Sequence, residues 1–235
     1  MRQRQLDECV VRVMLNIMKN ALVIGASGGI GSALAQELDA RGYAVKGVSR
    51  SDGLDVTDPG SVARVLGPLT GPFEVVFVAI GTLAAGGAPE KSLAAIDAQR
   101  MGEIYAVNAI GPALILAQLE RLIPRDGPCF VGVLSARVGS IGDNKIGGWH
   151  SYRASKAAAN QIVRGAAIEL GRKHSGAVIV ALHPGTVETN FTANYKGHKM
   201  VPAPQAAANL CDVLLGLDAS QSGGFFDYAG VAVAW

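Results

Sequence analysis

The chain has 235 residues, of which 49% are hydrophobic and 17% charged, and its formal net charge is +2. That length suits one α/β domain with a single large core. The small net charge and the absence of a dense basic run argue against nucleic-acid binding. No run of 18 apolar residues occurs, so we expect no membrane span.

The cysteines and histidines argue against two further classes. Cys9, Cys129 and Cys211 are odd in number and far apart, which fits neither a disulfide framework nor a metal site. The histidines also lack metal-ligand spacing, so no metal is expected; they are His150, His174, His183 and His198. Reduced thiols favour a cytoplasmic location.

Residues 1–18 precede the first predicted strand and are interpreted as an N-terminal extension. Their apolar stretch is interrupted by Arg12 and Asn16, and no small-residue cleavage site follows, which argues against a signal peptide. Met14 or Met18 is an alternative start. Residues 19–235 are expected to form one dinucleotide-binding catalytic domain.

Apolar runs of strand length alternate with helical patterns along the rest of the chain. Strands are predicted at 21–25, 43–48, 75–80, 129–135, 177–183 and 225–228, and helices at 30–40, 98–123, 151–173 and 203–217. This alternation predicts a doubly wound α/β Rossmann domain, with a mostly parallel sheet and helices on both faces.

Two of the predicted helices, 98–123 and 151–173, carry more apolar surface than one sheet face can cover. We therefore expect them to pair with their copies in a homodimer or homotetramer. The aromatic residues of the C-terminal segment are expected to anchor it against the domain or a neighbouring subunit; they are Phe225, Phe226, Tyr228 and Trp235.

The first predicted strand leads directly into a glycine-rich turn that opens a helix. The turn consists of Gly25, Ala26, Ser27, Gly28, Gly29, Ile30 and Gly31. Gly25 permits a tight turn, small residues let the backbone approach a pyrophosphate, and Gly31 lets helix and strand pack closely. Free N–H groups and the helix dipole then favour the phosphates. The turn predicts dinucleotide binding, and simple turn chemistry is the alternative.

The second predicted strand ends at Ser49 and Arg50, where NAD-binding sites place an acid. A hydroxyl followed by a guanidinium instead suits a 2′-phosphate. We therefore expect NADP(H) to be preferred, with NAD(H) as a possible cofactor; a surface arginine is the alternative. Asp55 and Val56 are candidate adenine contacts, although Asp55 also suits a turn. Asp58 followed by proline predicts the start of a helix.

Tyr152 and Lys156 are four residues apart, so they lie on one face of a predicted helix. A cationic Lys156 near the phenol favours phenolate and lowers the pKa of Tyr152. Such tuning suits a general acid/base.

The order of these motifs resembles the short-chain dehydrogenase/reductase family. The glycine turn is followed in that family's order by Asn108, Ser135, Tyr152, Lys156, Pro184 and Gly185, across residues 19–235. The ending 224–235 looks like the C-factor-type branch, which contains carbonyl reductases and a cell-signalling protein.

The resemblance implies hydride transfer between a nicotinamide and a small carbonyl or alcohol substrate. Tyr152 would exchange the proton with the substrate oxygen, and Ser135 would polarise that oxygen. Lys156 would bind the nicotinamide ribose and lower the pKa of Tyr152, and Asn108 would hold a relay water. Further cofactor contacts would be Ala79, Gly81, Pro184, Gly185, Thr186 and Thr189, the last near the carboxamide or the phosphates.

Three departures from the family pattern stand out. The usual Asn-Asn-Ala-Gly is replaced by residues 78–81, of which only Gly81 matches. The stretch between Arg50 and Asp55 is very short, so the usual helix between the second and third strands is expected to be missing or moved. A glycine-rich loop at 139–150 is expected to border the substrate, with Trp149 and His150 shaping the pocket; a plain surface loop is the alternative.

Three functions remain open. The first is a carbonyl or alcohol oxidoreductase, and the second is a dinucleotide-binding signalling or regulatory protein with little catalysis. The third is a reductase of carrier-bound acyl chains. Such a reductase needs a basic surface for an acidic carrier, and the sequence has no concentrated cluster of basic residues. The oxidoreductase is favoured because the family's polar set is complete, with Asn108, Ser135, Tyr152 and Lys156 all present. A protein that only binds the dinucleotide needs no phenol beside the nicotinamide.

Overall fold

The structure is a computed structural model that describes residues 19–189, 191–192 and 200–235. The predicted N-terminal extension, with Cys9, lies outside the described residues, and so does His198.

Within the described residues the main sheet has six strands, and every pair in it is parallel. In chain order its strands are β1 Asn20–Ile24, β2 Ala44–Val48, β3 Val75–Val78, β4 Cys129–Leu134, β5 Ala177–His183 and β8 Phe225–Asp227. Two short strands between β5 and β8, β6 Val187–Glu188 and β7 Val201–Pro202, pair with each other in a separate sheet. The spatial order in the main sheet is β2-β1-β3-β4-β5-β8. The order reverses between β1 and β3, where open α/β sheets bind ligands beyond the carboxyl ends of the strands.

Helices cover both faces of this sheet. They are α1 Gly29–Ala40, α2 Pro59–Leu66, α3 Ala98–Tyr105, α4 Gly111–Leu116, α5 His150–Gly171 and α6 Ala203–Gly216. Helices α1 and α6 pack on one face, while α2, α4 and α5 pack on the other and α3 lies against α5. Burial on both faces explains why the central strands are apolar at nearly every position. The predicted doubly wound Rossmann fold is confirmed.

A helix connects β2 and β3, so of the two alternatives, missing or moved, the structure has the second. Only a 3₁₀ turn, Arg50–Asp52, directly follows β2, but α2 begins after the next turn. The Asp58 carboxylate accepts hydrogen bonds from the N–H groups of Gly60 and Ser61 at 2.9 and 3.0 Å, and Pro59 occupies the first helical position. The Asp58-Pro59 pair therefore identifies the start of α2, which begins further along the chain than a helix directly after β2 would.

The helix predicted at 98–123 is interrupted. Between α3 and α4 the residues Ala106–Ile110 form a π-helical turn, and a 3₁₀ turn follows at Leu119–Arg121. Pro112 has no N–H to give to the carbonyl of Asn108, and the N–H of Gly111 reaches back to the carbonyl of Ala106. The wide turn carries Asn108, which is fully buried.

Taken together, Ala98–Arg121 is long and apolar enough to cross a membrane by length and composition. Its most apolar 18-residue window has a mean hydropathy of 1.2, and 44% of that window is buried. A core helix passes the same test, so this segment is weak evidence for a membrane span.

The C-terminal segment packs on its own domain. Phe226 pairs with Ala232 in an antiparallel bridge, and the Trp235 ring stacks on Phe225 at 5.9 Å between centroids. The carbonyl of Trp235 accepts a hydrogen bond from the N–H of Gly142 at 2.8 Å. These contacts tie the tail to its own domain.

Candidate active site

The glycine turn leaves no room for a side chain at Gly25 or at Gly31. Gly25 has a φ of +89°, and a Cβ there would lie 2.4 Å from the carbonyl oxygen of Ala79. A Cβ on Gly31 would lie 2.1 Å from the oxygen of Gly25. The backbone therefore lines the start of α1 directly, which fits the pyrophosphate of a dinucleotide.

Thr189 lies against this turn. A Cβ on Gly29 would come within 2.6 Å of the Thr189 methyl carbon. The N–H of Thr189 donates to Oγ1 of Thr192 at 3.2 Å, which helps fix the segment that follows β6. The two segments are far apart in sequence, so only the fold brings them together.

The end of β2 carries an acid that the sequence analysis did not assign there. The Asp52 carboxylate accepts hydrogen bonds from the Ser49 N–H at 2.8 Å and from the Ser49 hydroxyl at 3.1 Å. Ser49 is buried, whereas Arg50 and Asp52 are exposed on the 3₁₀ turn. The Ser-x-x-Asp pattern of a capping box is the sequence signal that identifies this contact.

Asp55 has the turn role that was its alternative. Its Oδ1 accepts hydrogen bonds from the Thr57 hydroxyl at 2.7 Å and the Thr57 N–H at 2.9 Å. These bonds, the hydroxyl first, hold the pKa of Asp55 below its usual range. Neighbouring Val56 is half-buried and packs against Gly111, so the turn is held at the start of α4.

The Asn108 amide is fully engaged with its surroundings. Its Oδ1 accepts a bond from the Thr82 N–H at 2.7 Å, and its Nδ2 donates to the Thr82 carbonyl at 2.7 Å and to the Ser155 hydroxyl at 3.0 Å. Gly81 fits between two functional groups, because a Cβ there would lie 3.3 Å from Lys156 Nζ and 3.4 Å from Asn108 Oδ1. Asn108 therefore holds the loop after β3 beside Lys156.

Tyr152 and Lys156 are both buried on α5, at 6% and 3% exposure. Lys156 Nζ donates to the carbonyl of Leu134 at 3.0 Å, which places the ammonium beside the end of β4. Burial lowers the pKa of Lys156 to about 8. Burial also raises the pKa of Tyr152. The pKa of Tyr152 therefore shifts in the direction opposite to the one expected from its spacing to Lys156, because burial disfavours the charged phenolate.

Ser135 follows β4 and is buried at 5% exposure. Its N–H donates to the carbonyl of Leu182, and its hydroxyl donates to Oδ1 of Asn160 at 2.5 Å. Asn160 lies on α5, one helical step beyond Lys156. The same helix thus supplies the phenol, the ammonium and the partner of the serine.

Two aromatic rings flank the Tyr152 phenol. The Trp149 ring lies 6.3 Å from it edge-on, and the Phe191 ring lies 6.2 Å from it. The end of the 139–150 loop therefore borders the tyrosine, whereas Ile141 and Ile146 in its middle are 77% and 90% exposed. The middle of the loop thus has the exposure of a surface loop, and a role of its end in bordering the substrate stays a prediction.

Glu90 fixes the start of α5. Its carbonyl accepts a hydrogen bond from the Trp149 N–H at 2.5 Å, and its carboxylate accepts one from the Ser151 hydroxyl. Trp149 has a left-handed φ of 52°, which is unusual for a bulky residue. Glu90 lies in the loop after β3, so this contact ties that loop to the turn before Tyr152.

Pro184, Gly185 and Thr186 follow β5 at the same edge of the sheet. Gly185 has a φ of +78°, and a Cβ on it would lie 3.0 Å from the Tyr228 ring. The carbonyl of Thr186 accepts a bond from the Val201 N–H at 3.0 Å. His183 packs edge-on against Tyr228, and burial first, with the nearby Arg137, lowers the pKa of His183 to about 4.

The sequence analysis missed four residues of this site: Asp52, Glu90, Asn160 and Phe191. Asp52 and Asn160 had local signals, a capping pattern and a helical spacing of four from Lys156. Glu90 and Phe191 had none, because their contacts join segments distant in sequence.

Most of this chain is similar to known proteins. The family model described as Enoyl-(Acyl carrier protein) reductase matches residues 49–213. The 1-hydroxy-2-glutathionyl-2-methyl-3-butene dehydrogenase of Rhodococcus sp. (strain AD45) is 29% identical over 235 residues, covering 93% of this chain and 100% of that protein. The C-signal protein of Myxococcus xanthus is 33% identical over 144 residues, covering 61% and 84%.

A solved structure is similar over almost the whole chain. A short-chain dehydrogenase/reductase from Burkholderia multivorans with bound NADP has a TM-score of 0.78 and 26% identity, covering 93% of this chain and 100% of that one. The chain therefore belongs to the short-chain dehydrogenase/reductase family. It is an NAD(P)-dependent oxidoreductase of that family, acting on C=O or CH–OH groups.

Proposed function

We propose that this protein is an NADP(H)-dependent reductase of small carbonyl compounds, with Tyr152 as the proton donor. The observation that supports this most is that buried Lys156 donates to the carbonyl of Leu134, the residue before Ser135, and that buried Tyr152 lies one turn earlier on the same helix. Buried polar groups without a structural need are typical of a reaction site.

The bound nicotinamide would supply the hydride. The chain would hold the substrate oxygen between the hydroxyls of Tyr152 and Ser135, so that both stabilise the charge developing there. Lys156 would bind the nicotinamide ribose and, while protonated, favour loss of the Tyr152 proton. Asn108 would keep Lys156 in place through the loop at Gly81 and Thr82. Pro112 has no N–H and so donates no helical hydrogen bond to the carbonyl oxygen of Asn108. That oxygen would therefore suit a relay water.

Further residues would hold the remainder of the dinucleotide. Gly25–Gly31 would take the pyrophosphate, with Thr189 on its phosphate side, as the contact with Gly29 favours. Ser49 and Arg50 would bind a 2′-phosphate, and the Burkholderia multivorans relative contains NADP. Ala79, Val56 and Asp55 would lie near the adenosine, and Pro184, Gly185 and Thr186 would lie near the nicotinamide.

We also propose that residues 19–235 form the catalytic unit and that two copies associate through α3–α5. The exposed apolar side chains of Ile110 and Ile168, at 50% and 48% exposure, support such a contact. Light scattering at micromolar concentration tests it, and the mass of a single chain, 24.2 kDa, would contradict it.

Turnover of a carbonyl panel with NADPH tests the function. The panel includes aliphatic aldehydes, para-nitrobenzaldehyde, simple ketones and a short 3-oxoacyl thioester, each followed by loss of NADPH absorbance. We expect para-nitrobenzaldehyde to be among the better substrates, because Trp149 and Phe191 flank Tyr152. NADPH binding without turnover of any compound would favour the signalling protein instead, and turnover of the thioester alone would favour an acyl reductase.

A further inference from the structure

Asn160 has a buried amide whose hydrogen bonding is incomplete. The side chain is 2% exposed, its Oδ1 accepts the Ser135 hydroxyl, and its Nδ2 has no hydrogen-bond partner among the described residues. Buried amide N–H groups without an acceptor are rare in proteins, because each loses its hydrogen bonds to water. An unpartnered amide next to the serine of the site therefore needs an explanation.

The direction of the Ser135 bond conflicts with the proposed chemistry. A serine hydroxyl has one proton, and here that proton is given to Asn160. The Ser135 oxygen would then present only lone pairs to a substrate carbonyl, which also carries lone pairs. Polarising the carbonyl requires the opposite arrangement, in which Ser135 donates to the substrate.

A half-turn of the Asn160 amide removes the conflict with the chemistry and gives Nδ2 an acceptor, while Oδ1 takes the unpartnered position, which a carbonyl oxygen tolerates better than an N–H group does. The rotation exchanges Oδ1 and Nδ2 without changing the shape of the side chain, and the terminal torsion of asparagine is soft. Nδ2 then donates to the Ser135 oxygen, and the Ser135 proton is free for the substrate. Hydrogen bonds that run in one direction also polarise each other, so the serine becomes a better donor.

We propose that Asn160 is a positioning residue that sets the direction of the Ser135 hydrogen bond, donating to Ser135 when substrate is bound. This inference rests on the proposed role of Ser135. Asn160 is suited to it because an amide can either accept from the serine or donate to it. It lies on α5 four residues after Lys156 and eight after Tyr152, so one helix carries it and the groups that would handle the proton.

The test is a double-mutant cycle in the full chain with NADPH and para-nitrobenzaldehyde, or the best compound of the panel. The variants are Asn160→Leu, which keeps the branched shape and the number of side-chain heavy atoms, Ser135→Ala, and both together, with Asn160→Ala as a second choice if the leucine variant does not fold. We expect Asn160→Leu to lower kcat about tenfold, the scale of one hydrogen bond, with KM and NADPH affinity nearly unchanged. In the Ser135→Ala background the same change should cost less than about twofold.

The control is Val163→Ala, which removes buried atoms from the same helix and takes away no hydrogen-bonding group. It should lower Tm, and its effect on kcat should be the same in both backgrounds. Equal effects of Asn160→Leu in both backgrounds would overturn the inference and leave the proposed function intact. A Ser135→Ala variant with unchanged turnover, or no turnover of any carbonyl by the wild type, would instead contradict the proposed function on which it rests.

Discussion

The two ends of the candidate dinucleotide site are built differently. Around α5 the polar groups are buried, and each is held by a group distant in sequence: Lys156 by Leu134, Asn108 by Thr82, and Ser135 by Asn160. At the end of β2 the polar groups are mostly exposed and bond to near neighbours, as Ser49 does with Asp52 and Asp55 with Thr57.

This difference predicts different sensitivities to substitution. Water competes for and screens interactions at the exposed end, so a change there should alter cofactor affinity in small steps. At the buried end no water replaces a lost group, so a change there should affect turnover strongly. The next four predictions test this contrast.

The largest effect is expected from Tyr152→Phe. Removing the phenol hydroxyl should lower kcat on the order of 10²- to 10⁴-fold, the usual contribution of a general acid, while NADPH affinity stays close to that of the wild type. Steady-state kinetics and fluorescence titration with NADPH measure the two quantities. Turnover retained in this variant would mean that another group donates the proton, and it would contradict the predicted contrast between the two ends.

Arg50→Ala should act on cofactor affinity instead of turnover. Loss of a charge-assisted hydrogen bond to a 2′-phosphate should weaken NADPH binding by about 1–3 kcal/mol, with little change for NADH. Titration of both cofactors against both proteins checks this. If the wild type binds NADPH and NADH equally, Arg50 has no such role.

The pH dependence of reduction should report Lys156. Its pKa of about 8 means that the ammonium loses its proton as the pH rises through that value, so kcat/KM should fall about tenfold per pH unit above it. The unfolded chain keeps an ordinary lysine pKa and binds more protons between pH 8 and 10.5, so this group makes unfolding harder as the pH rises there. Deprotonation of Lys156 therefore does not promote unfolding, so unfolding caused by this group cannot explain a fall in kcat/KM above pH 8. A profile that stays flat to high pH contradicts the assignment.

Asp52→Asn should give the smallest effect, and in the opposite direction. Its carboxylate lies beside Ser49 and would repel a 2′-phosphate, so neutralising it should tighten NADPH binding about threefold at low salt, as expected for an exposed charge. The gain should shrink as salt is added. Weaker NADPH binding in this variant would mean that the capping bonds to Ser49 matter more than the repulsion.

Short-range patterns were enough to predict the fold and the most local part of the site. The alternation of strands and helices gave the parallel sheet, the glycine turn gave the cradle before α1, and Asp58 with Pro59 gave the start of α2. The spacing of Tyr152 and Lys156 placed them together on one helix. Each of these predictions rests on patterns within a few residues, where periodicity, capping and backbone sterics operate.

The tertiary structure alone decided which distant groups meet and what their environment does to them. Burial raised the pKa of Tyr152 where the local pairing with Lys156 predicted a lowering, because desolvation depends on the packing of the whole domain. The contacts of Ser135 with Asn160, of Glu90 with Ser151 and of Gly29 with Thr189 likewise join separate elements. No local pattern encodes such contacts, because they exist only once the strands are in register and the helices lie on the sheet.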